Sequence, residues 1–278
     1  MVSLSKLEGK SPSSSAEKPV IEEGGQYHIA CKPRDLAKYL LIPGPPERAA
    51  KIARLWDEAK EVAYHREFRS FTGKYKGVNI SVLSSGIGPA SMAIAVNEAA
   101  NLGVETFLRV GSTGAIQKAI ECGDLVISTA AVRLDGTSNH YVIPEYPAVA
   151  NHEVLQALIE AAEGLGVRYH VGITATTADF YAGQARPAFR DYWQPSLKNL
   201  IPSLQRAHVL NFEMECATLF ILCSLFQLRA GAVCAVYANR GTNIFKPGAG
   251  EEDCIRVANE AIKILNDWDT QKQRKERR

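Results

Sequence analysis

The sequence has no apolar run long enough to span a bilayer, no C-x-x-C pair among its six cysteines, and no excess of charge of either sign. Each shortfall removes a class of protein. Without about 20 consecutive apolar residues there is no membrane helix. A formal net charge of +2 spread over 278 residues leaves no concentrated basic face for the phosphates of nucleic acid. Scattered cysteines (Cys31, Cys122, Cys216, Cys223, Cys234 and Cys254), several of them in apolar stretches, form neither a disulfide framework nor a zinc motif. They read as buried, reduced thiols of a cytoplasmic protein. The chain also lacks both G-x-G-x-x-G and G-x-x-x-x-G-K-[ST], so nothing in it supports a dinucleotide or ATP site.

What is present is a chain 46% apolar, long enough to bury a full core. Residues 1–25 are rich in Ser, Lys, Glu and Gly and have no apolar central run, which predicts a disordered tail. Short apolar runs then alternate with helix-period segments. Strands are expected at 39–42, 79–83, 106–110, 125–128, 169–174, 209–214 and 232–237. Helices are expected around 90–102, 151–165, 215–226 and 251–267, with another carrying Ile52, Leu55, Trp56, Ala59 and Val62 at spacings of three and four. This alternation predicts a single α/β domain over residues 26–268, with a basic, solvated tail at 269–278.

Three glycine-rich turns follow predicted strands, where α/β folds place their ligands. They are Gly44-Pro45-Pro46-Glu47-Arg48, Ser84-Ser85-Gly86-Ile87-Gly88-Pro89 and Arg109-Val110-Gly111-Ser112-Thr113-Gly114. Glycine lets backbone N–H groups approach an anion closely, a helix start adds its positive dipole end, and arginine adds a planar fork. Arg109 lies inside an apolar strand and needs a partner, which could be a core carboxylate or a bound phosphate. Arg66, in His65-Arg66-Glu67-Phe68, is a further anion ligand or part of a solvated charged edge. In Phe180-Tyr181-Ala182-Gly183-Gln184-Ala185-Arg186, a Gln and an Arg two apart beside aromatic rings suit a planar heterocycle. In Asn211-Phe212-Glu213-Met214-Glu215, an extended backbone puts Glu213 and Glu215 on one side. Two such carboxylates bind something, such as hydroxyl groups, or form an ion-paired strand end.

Taken together, the segments PGPPER, HREF, SSGIGPAS, FLRVGSTGAI, VRLDG, FYAGQAR, NFEMECATL and ANRG, in that order and spacing, resemble the nucleoside phosphorylase family in its uridine phosphorylase branch. The resemblance implies a three-layer α/β/α sandwich around a central mixed sheet, and reversible cleavage of uridine by phosphate to uracil and ribose 1-phosphate. It implies phosphate ligands at Gly44, Arg48, Arg109 and Ser112, with Arg66 supplied by a neighbouring subunit. Thr113 and Gly114 would line the ribose and base site; Phe180, Gln184 and Arg186 would hold uracil; Glu213, Met214 and Glu215 would hold the sugar. His28 would reach the sugar from the partner of a homodimer or trimer of dimers. Arg109, Gln184, Arg186 and Glu215 would carry catalysis. No cofactor is implied beyond inorganic phosphate as co-substrate, with a monovalent cation such as K+ between subunits at Glu67, Ile87 and Ser91. Two features depart from the family pattern. Pro45 replaces the acid of the first turn, and Tyr237 and Ala238 replace aliphatic residues before Asn239-Arg240. Three alternatives stay open on these residues: a purine nucleoside phosphorylase, a nucleosidase using water, and a nucleoside-binding protein without turnover.

Overall fold

The computed structural model describes residues 14–276. Most of the expected tail, residues 1–13, lies outside the described residues. The remainder is not free of structure: Val20 bridges Gln26, and the Ile21 amide donates to the Gly25 carbonyl around a short turn at Glu22–Gly24.

β1 (Tyr39–Pro43) is buried at every position, and its side chains alternate between two cores. Tyr39 and Leu41 pack into one, Leu40 and Ile42 into the other, as the period-two geometry of a strand covered on both faces requires. β1 runs parallel to β4 (Val78–Leu83) on one side and to β5 (Thr106–Ala115) on the other. Beyond β4 the sheet continues through an antiparallel hairpin, β3 (Phe68–Tyr75) and β2 (Glu58–His65). Beyond β5 it closes on itself, because β10 (Arg229–Asn239) pairs both β5 and β6 (Leu125–Leu134). The circuit is completed by β8 (Tyr169–Thr177) and β9 (Asn211–Glu213), which return to β5. Two short strands, β7 (Ala148–Val149) and β11 (Ile244–Phe245), add to β6 and β10. The sheet is therefore mixed, with a barrel-like half and an open half.

Helices cover both faces. α1 (Pro46–Ala53), α3 (His152–Leu165) and α6 (Glu251–Glu276) pack on the Leu41 side, and α2 (Pro89–Asn101) and α5 (Cys216–Leu225) on the Leu40 side. The short α4 (Leu200–Arg206) closes the barrel-like end. This is the expected three-layer α/β/α arrangement in one domain. Local chemistry explains the ends. α3 begins where the Asn151 side chain accepts from the amides of Glu153 and Val154, and stops where Gly166 turns left-handed at φ 65°.

Two expectations fail at the level of elements. The helix drawn through Ile52 and Val62 ends at Ala53, and Ala59 and Val62 belong to β2. β2 lies at the edge of the sheet and is largely exposed, so it has no alternating apolar face to betray it. The basic C-terminal tail is helical: α6 passes Asp267 and continues to Glu276. Asp269 accepts from Arg229 and from the Tyr39 hydroxyl, and Lys272 pairs with Glu153, which ties the extension to the body. No helix among the described residues is long and apolar enough to cross a membrane. All six cysteines are free thiols, five of them buried.

Candidate active site

The C-terminal ends of β1, β5 and β10 open into a cavity of about 950 Å³. The loop after β1 and the loop after β4 are laced together: the Ser85 and Gly86 amides donate to the carbonyls of Pro43 and Gly44. A side chain at Gly86, where φ is 71°, would strike the Glu67 side chain at 2.7 Å. Gly44, Arg48, Arg109 and Ser112 all line one end of this cavity, so the structure brings together four of the five residues expected at an anion.

Arg109 takes the carboxylate half of its open reading. It is only 4% exposed. Its Nε donates to Glu213 at 3.0 Å, and its Nη2 pairs with Glu215. Its Nη1 is buried without a hydrogen-bond partner among the described residues. The core carboxylates thus hold the guanidinium in place and leave one nitrogen for something else. Burial works against the charge, but Glu215 and Glu213 hold the Arg109 guanidinium well above its ordinary range. Burial also pushes the Glu215 carboxyl up, with Arg109 opposing and Glu213 adding to the rise.

Glu213 and Glu215 differ more than their spacing suggests. Glu213 is spent on structure: it accepts from Arg109, from the Thr176 hydroxyl, and from the amides of Glu215 and Cys216 at the start of α5. Glu215 accepts from the Gly88 amide at 2.6 Å as well as from Arg109. Both line the cavity with Met214 between them. Thr113 lines it too, but its hydroxyl donates to the Phe212 carbonyl and accepts from Asn211.

At the other end of the cavity lie Gly114, Phe180, Gln184 and Arg186. Arg186 Nη1 donates to the Phe180 carbonyl at 2.7 Å and to Gln184 Oε1 at 2.5 Å, and its guanidinium stacks 3.9 Å above the Phe180 ring. Burial, together with the nearby charge of Arg240, pulls the Arg186 guanidinium down to about 10, which leaves it cationic at neutral pH. Arg240 is not among the ligands expected from the sequence. It lines the cavity and donates to the carbonyls of Gln184 and Ala185, fixing the loop that carries Gln184 and Arg186. The only signal for it in the sequence was its place in ANRG. Among the described residues no carboxylate lines this end: the cavity holds four arginines (Arg48, Arg109, Arg186, Arg240) against two glutamates, Glu213 and Glu215.

Two expected residues stand elsewhere. His28 is bonded through Nδ1 to Glu98 at 2.6 Å and lines a separate surface hollow with Asn97 and Tyr141. Arg66 is the turn residue between β2 and β3, at φ 56°, with its guanidinium over the Tyr27 ring. Neither lines the cavity of its own chain. They share one surface, however, because the His65 ring bonds the His28 carbonyl and Tyr27 packs edge-on against His28. Glu67 and Ser91, expected at a cation, are adjacent, with the Ser91 hydroxyl donating to Glu67 at 3.0 Å, and Ile87 beside them is 78% exposed. No group of three or more His, Cys, Asp or Glu among the described residues could hold a metal ion.

Comparison with known proteins meets this geometry. The profile of the phosphorylase superfamily matches residues 38–267. A uridine phosphorylase of Thermococcus kodakarensis is 62% identical over 260 residues, 94% of either chain. The uridine phosphorylase of Escherichia coli is 44% identical over 242 residues, 86% of this chain and 94% of the other. A guanosine phosphorylase of Halorubrum lacusprofundi is 39% identical over 214 residues, 77% of this chain and 83% of the other. With four-fifths of its length inside the family profile and these relatives along nearly all of it, the chain belongs to the phosphorylase superfamily, in the branch of the uridine phosphorylases.

Proposed function

We propose that the chain catalyses the reversible phosphorolysis of uridine to uracil and ribose 1-phosphate. The observation that carries the reading is the buried, unpartnered Nη1 of Arg109, beside Arg48, Ser112 and Gly44 at one end of a cavity with two positive charges in excess. A buried cationic donor without an acceptor is costly, and phosphate relieves that cost.

In this mechanism phosphate, held by Arg48, Arg109, Ser112 and the Gly44 backbone, lies beneath the sugar. One of its oxygens forms a bond to C1′ as the C1′–N1 bond breaks, and the electron pair of that bond leaves with the base. The sugar passes through a cationic state that the phosphate dianion stabilises. Uracil departs as an anion delocalised over its ring and carbonyl oxygens and then takes a proton from water. Arg186 and Gln184 bind that anion more tightly than the neutral base, so their bonds strengthen along the reaction. Glu215, with Met214 and Glu213 behind it, receives the sugar hydroxyls, and Thr113 and Gly114 shape the floor.

A purine substrate is the second reading, favoured by the similarity to a guanosine phosphorylase. A purine leaves best when an acid protonates its ring, and the base end offers Gln184, Arg186 and Arg240 but no carboxylate. That set suits a base that departs as an anion, which favours uracil. Hydrolysis by water would have no use for the excess of arginine, and mere nucleoside binding would not need it.

The enzyme is proposed to act as a homodimer or trimer of dimers in the cytoplasm. Free, buried cysteines support that compartment. The His28–Arg66 surface, with Tyr27 and Tyr64 exposed on it, supports pairing with a second copy whose cavity receives those two residues. The same edge carries the Glu67 carboxylate, the Ser91 hydroxyl and the Ile87 carbonyl, hard oxygen donors suited to a monovalent cation. The test is a panel of uridine, inosine and guanosine assayed with and without phosphate. Uracil release that depends on phosphate supports the reading.

A further inference from the structure

Tyr237 occupies a place the mechanism above does not use. It lies at the slip in the pairing of β10 with β5, where the register shifts between Val236 and Ala238. A bulge turns a residue out of the strict alternation of a strand, and here the extra residue reaches the anion end of the cavity. Arg48 Nη2 donates to the Tyr237 hydroxyl oxygen at 3.1 Å, and that hydroxyl donates to Glu251 Oε2 at 2.7 Å. Arg48 Nε donates to the same carboxylate oxygen at 3.0 Å, which closes a ring of three side chains. Nη1 is anchored on the Val110 carbonyl, and Lys51 holds the other Glu251 oxygen. Three of the five N–H groups of Arg48 are thereby committed, and one on each Nη is left for a ligand.

The same tyrosine also touches the cavity rim. Its carbonyl accepts from the Lys246 amide at 2.7 Å, just beyond β11, whose Ile244 and Phe245 line the cavity mouth. Five residues on, Glu251 opens α6 after two glycines in left-handed conformations, Gly248 at 84° and Gly250 at 71°. Tyr237 therefore fastens the Lys246–Glu251 segment at both ends, by its backbone at one and its hydroxyl at the other.

We infer that Tyr237 is a positioning residue of the phosphate site: with Glu251 it locks the Arg48 guanidinium in one orientation and joins it to the cavity rim, and so sets the affinity for phosphate. This rests on Arg48 being a phosphate ligand. Burial and the bond to Glu251 push the ionisation of the phenol up to about 12, so it keeps its proton and its donor role throughout the neutral range. Glycine or an aliphatic residue at 237 could line the cavity equally well; only a hydroxyl closes the ring.

The test is steady-state kinetics of Tyr237→Phe and Tyr237→Leu, with phosphate and uridine varied separately. Loss of the hydroxyl's two hydrogen bonds, from Arg48 and to Glu251, predicts a phosphate KM raised about tenfold in both variants, with the uridine KM changed less than about twofold. If the ring merely fills space, Phe behaves as wild type and only Leu is impaired, which overturns the inference. Equal rises in both KM values overturn it too. Should either variant fail to fold, Glu251→Ala removes the acceptor that closes the ring from its other side and must show the same split; its failure to do so also overturns the inference. The two levels separate cleanly, because a wild-type enzyme that needs no phosphate refutes the proposed function, whereas a phosphate-dependent wild type with an unaltered Tyr237→Phe refutes only this inference.

Discussion

Replacing Arg186 by alanine removes a group proposed to act on the leaving base while contributing little to the fold. Its guanidinium sits on a loop, donates to Gln184 Oε1 and the Phe180 carbonyl, and stacks on the Phe180 ring. No strand or helix core depends on it, so thermal stability should change little. Catalysis should not be spared. A hydrogen bond from a charged donor is worth about 1.5–3 kcal/mol, and one realised chiefly in the transition state acts on rate, so kcat/KM for uridine should fall on the order of a hundredfold. Gln184, released from Arg186, also loses its fixed orientation, which places the outcome toward the larger end. Arg186→Lys keeps the charge but loses the planar fork, and it should recover only part of the activity. The assay is initial-rate uracil release at saturating phosphate, paired with a thermal melt. A folded Arg186→Ala enzyme with near-normal kcat/KM would show that the base is held elsewhere.

Acid should weaken the wild type more than a Glu251→Gln variant. Burial alone would raise the Glu251 carboxyl, but its bonds to Lys51, Tyr237 and Arg48 bring it down to about 2, against about 4.3 for an unfolded chain. A depressed folded value gives stability that is present above about pH 4.3 and lost as pH falls toward about 2. The wild type should therefore melt higher than Glu251→Gln at pH 6, with the gap shrinking toward pH 3; a gap independent of pH contradicts the ion-pair account. Mixing an Arg66→Ala chain with an Arg186→Ala chain should restore activity to roughly a quarter of wild type, because random pairing makes about half the dimers mixed and each mixed dimer has one intact site. No recovery in dimers shown to have exchanged subunits contradicts a shared site.

Much of this fold was legible because buried strands and amphipathic helices carry their periods plainly. β1 reads as Tyr-Leu-Leu-Ile and is buried throughout; α2 and α3 begin and end within a residue or two of their expected limits. β2 was not legible, because an exposed edge strand shows no alternation and its few apolar residues chanced upon helical spacing. The extension of α6 past Asp267 was hidden for a related reason: beyond Trp268, which packs on the core, it is held by the ion pairs Asp269–Arg229 and Lys272–Glu153 rather than by an apolar stripe. The same division runs through the site. Glycine turns after strands and the Gln184–Arg186 pair announce their chemistry locally. The ring of Arg48, Tyr237 and Glu251 does not, since Arg48 lies about 200 residues before the other two and meets them only when α1 is brought beside β10 and the start of α6. Arg109 shows the limit from the other side: the need for a partner was readable, but only the structure reveals two carboxylates on one edge and a bare nitrogen on the other.

The dependence of uracil release on inorganic phosphate tests the central claim most directly. Uridine incubated with the enzyme in phosphate-free buffer should yield almost no uracil, and added phosphate should restore release along a saturating curve with ribose 1-phosphate formed in equal amount, while inosine and guanosine react poorly under the same conditions. Full activity without phosphate, or turnover of inosine or guanosine comparable to that of uridine, would contradict the account.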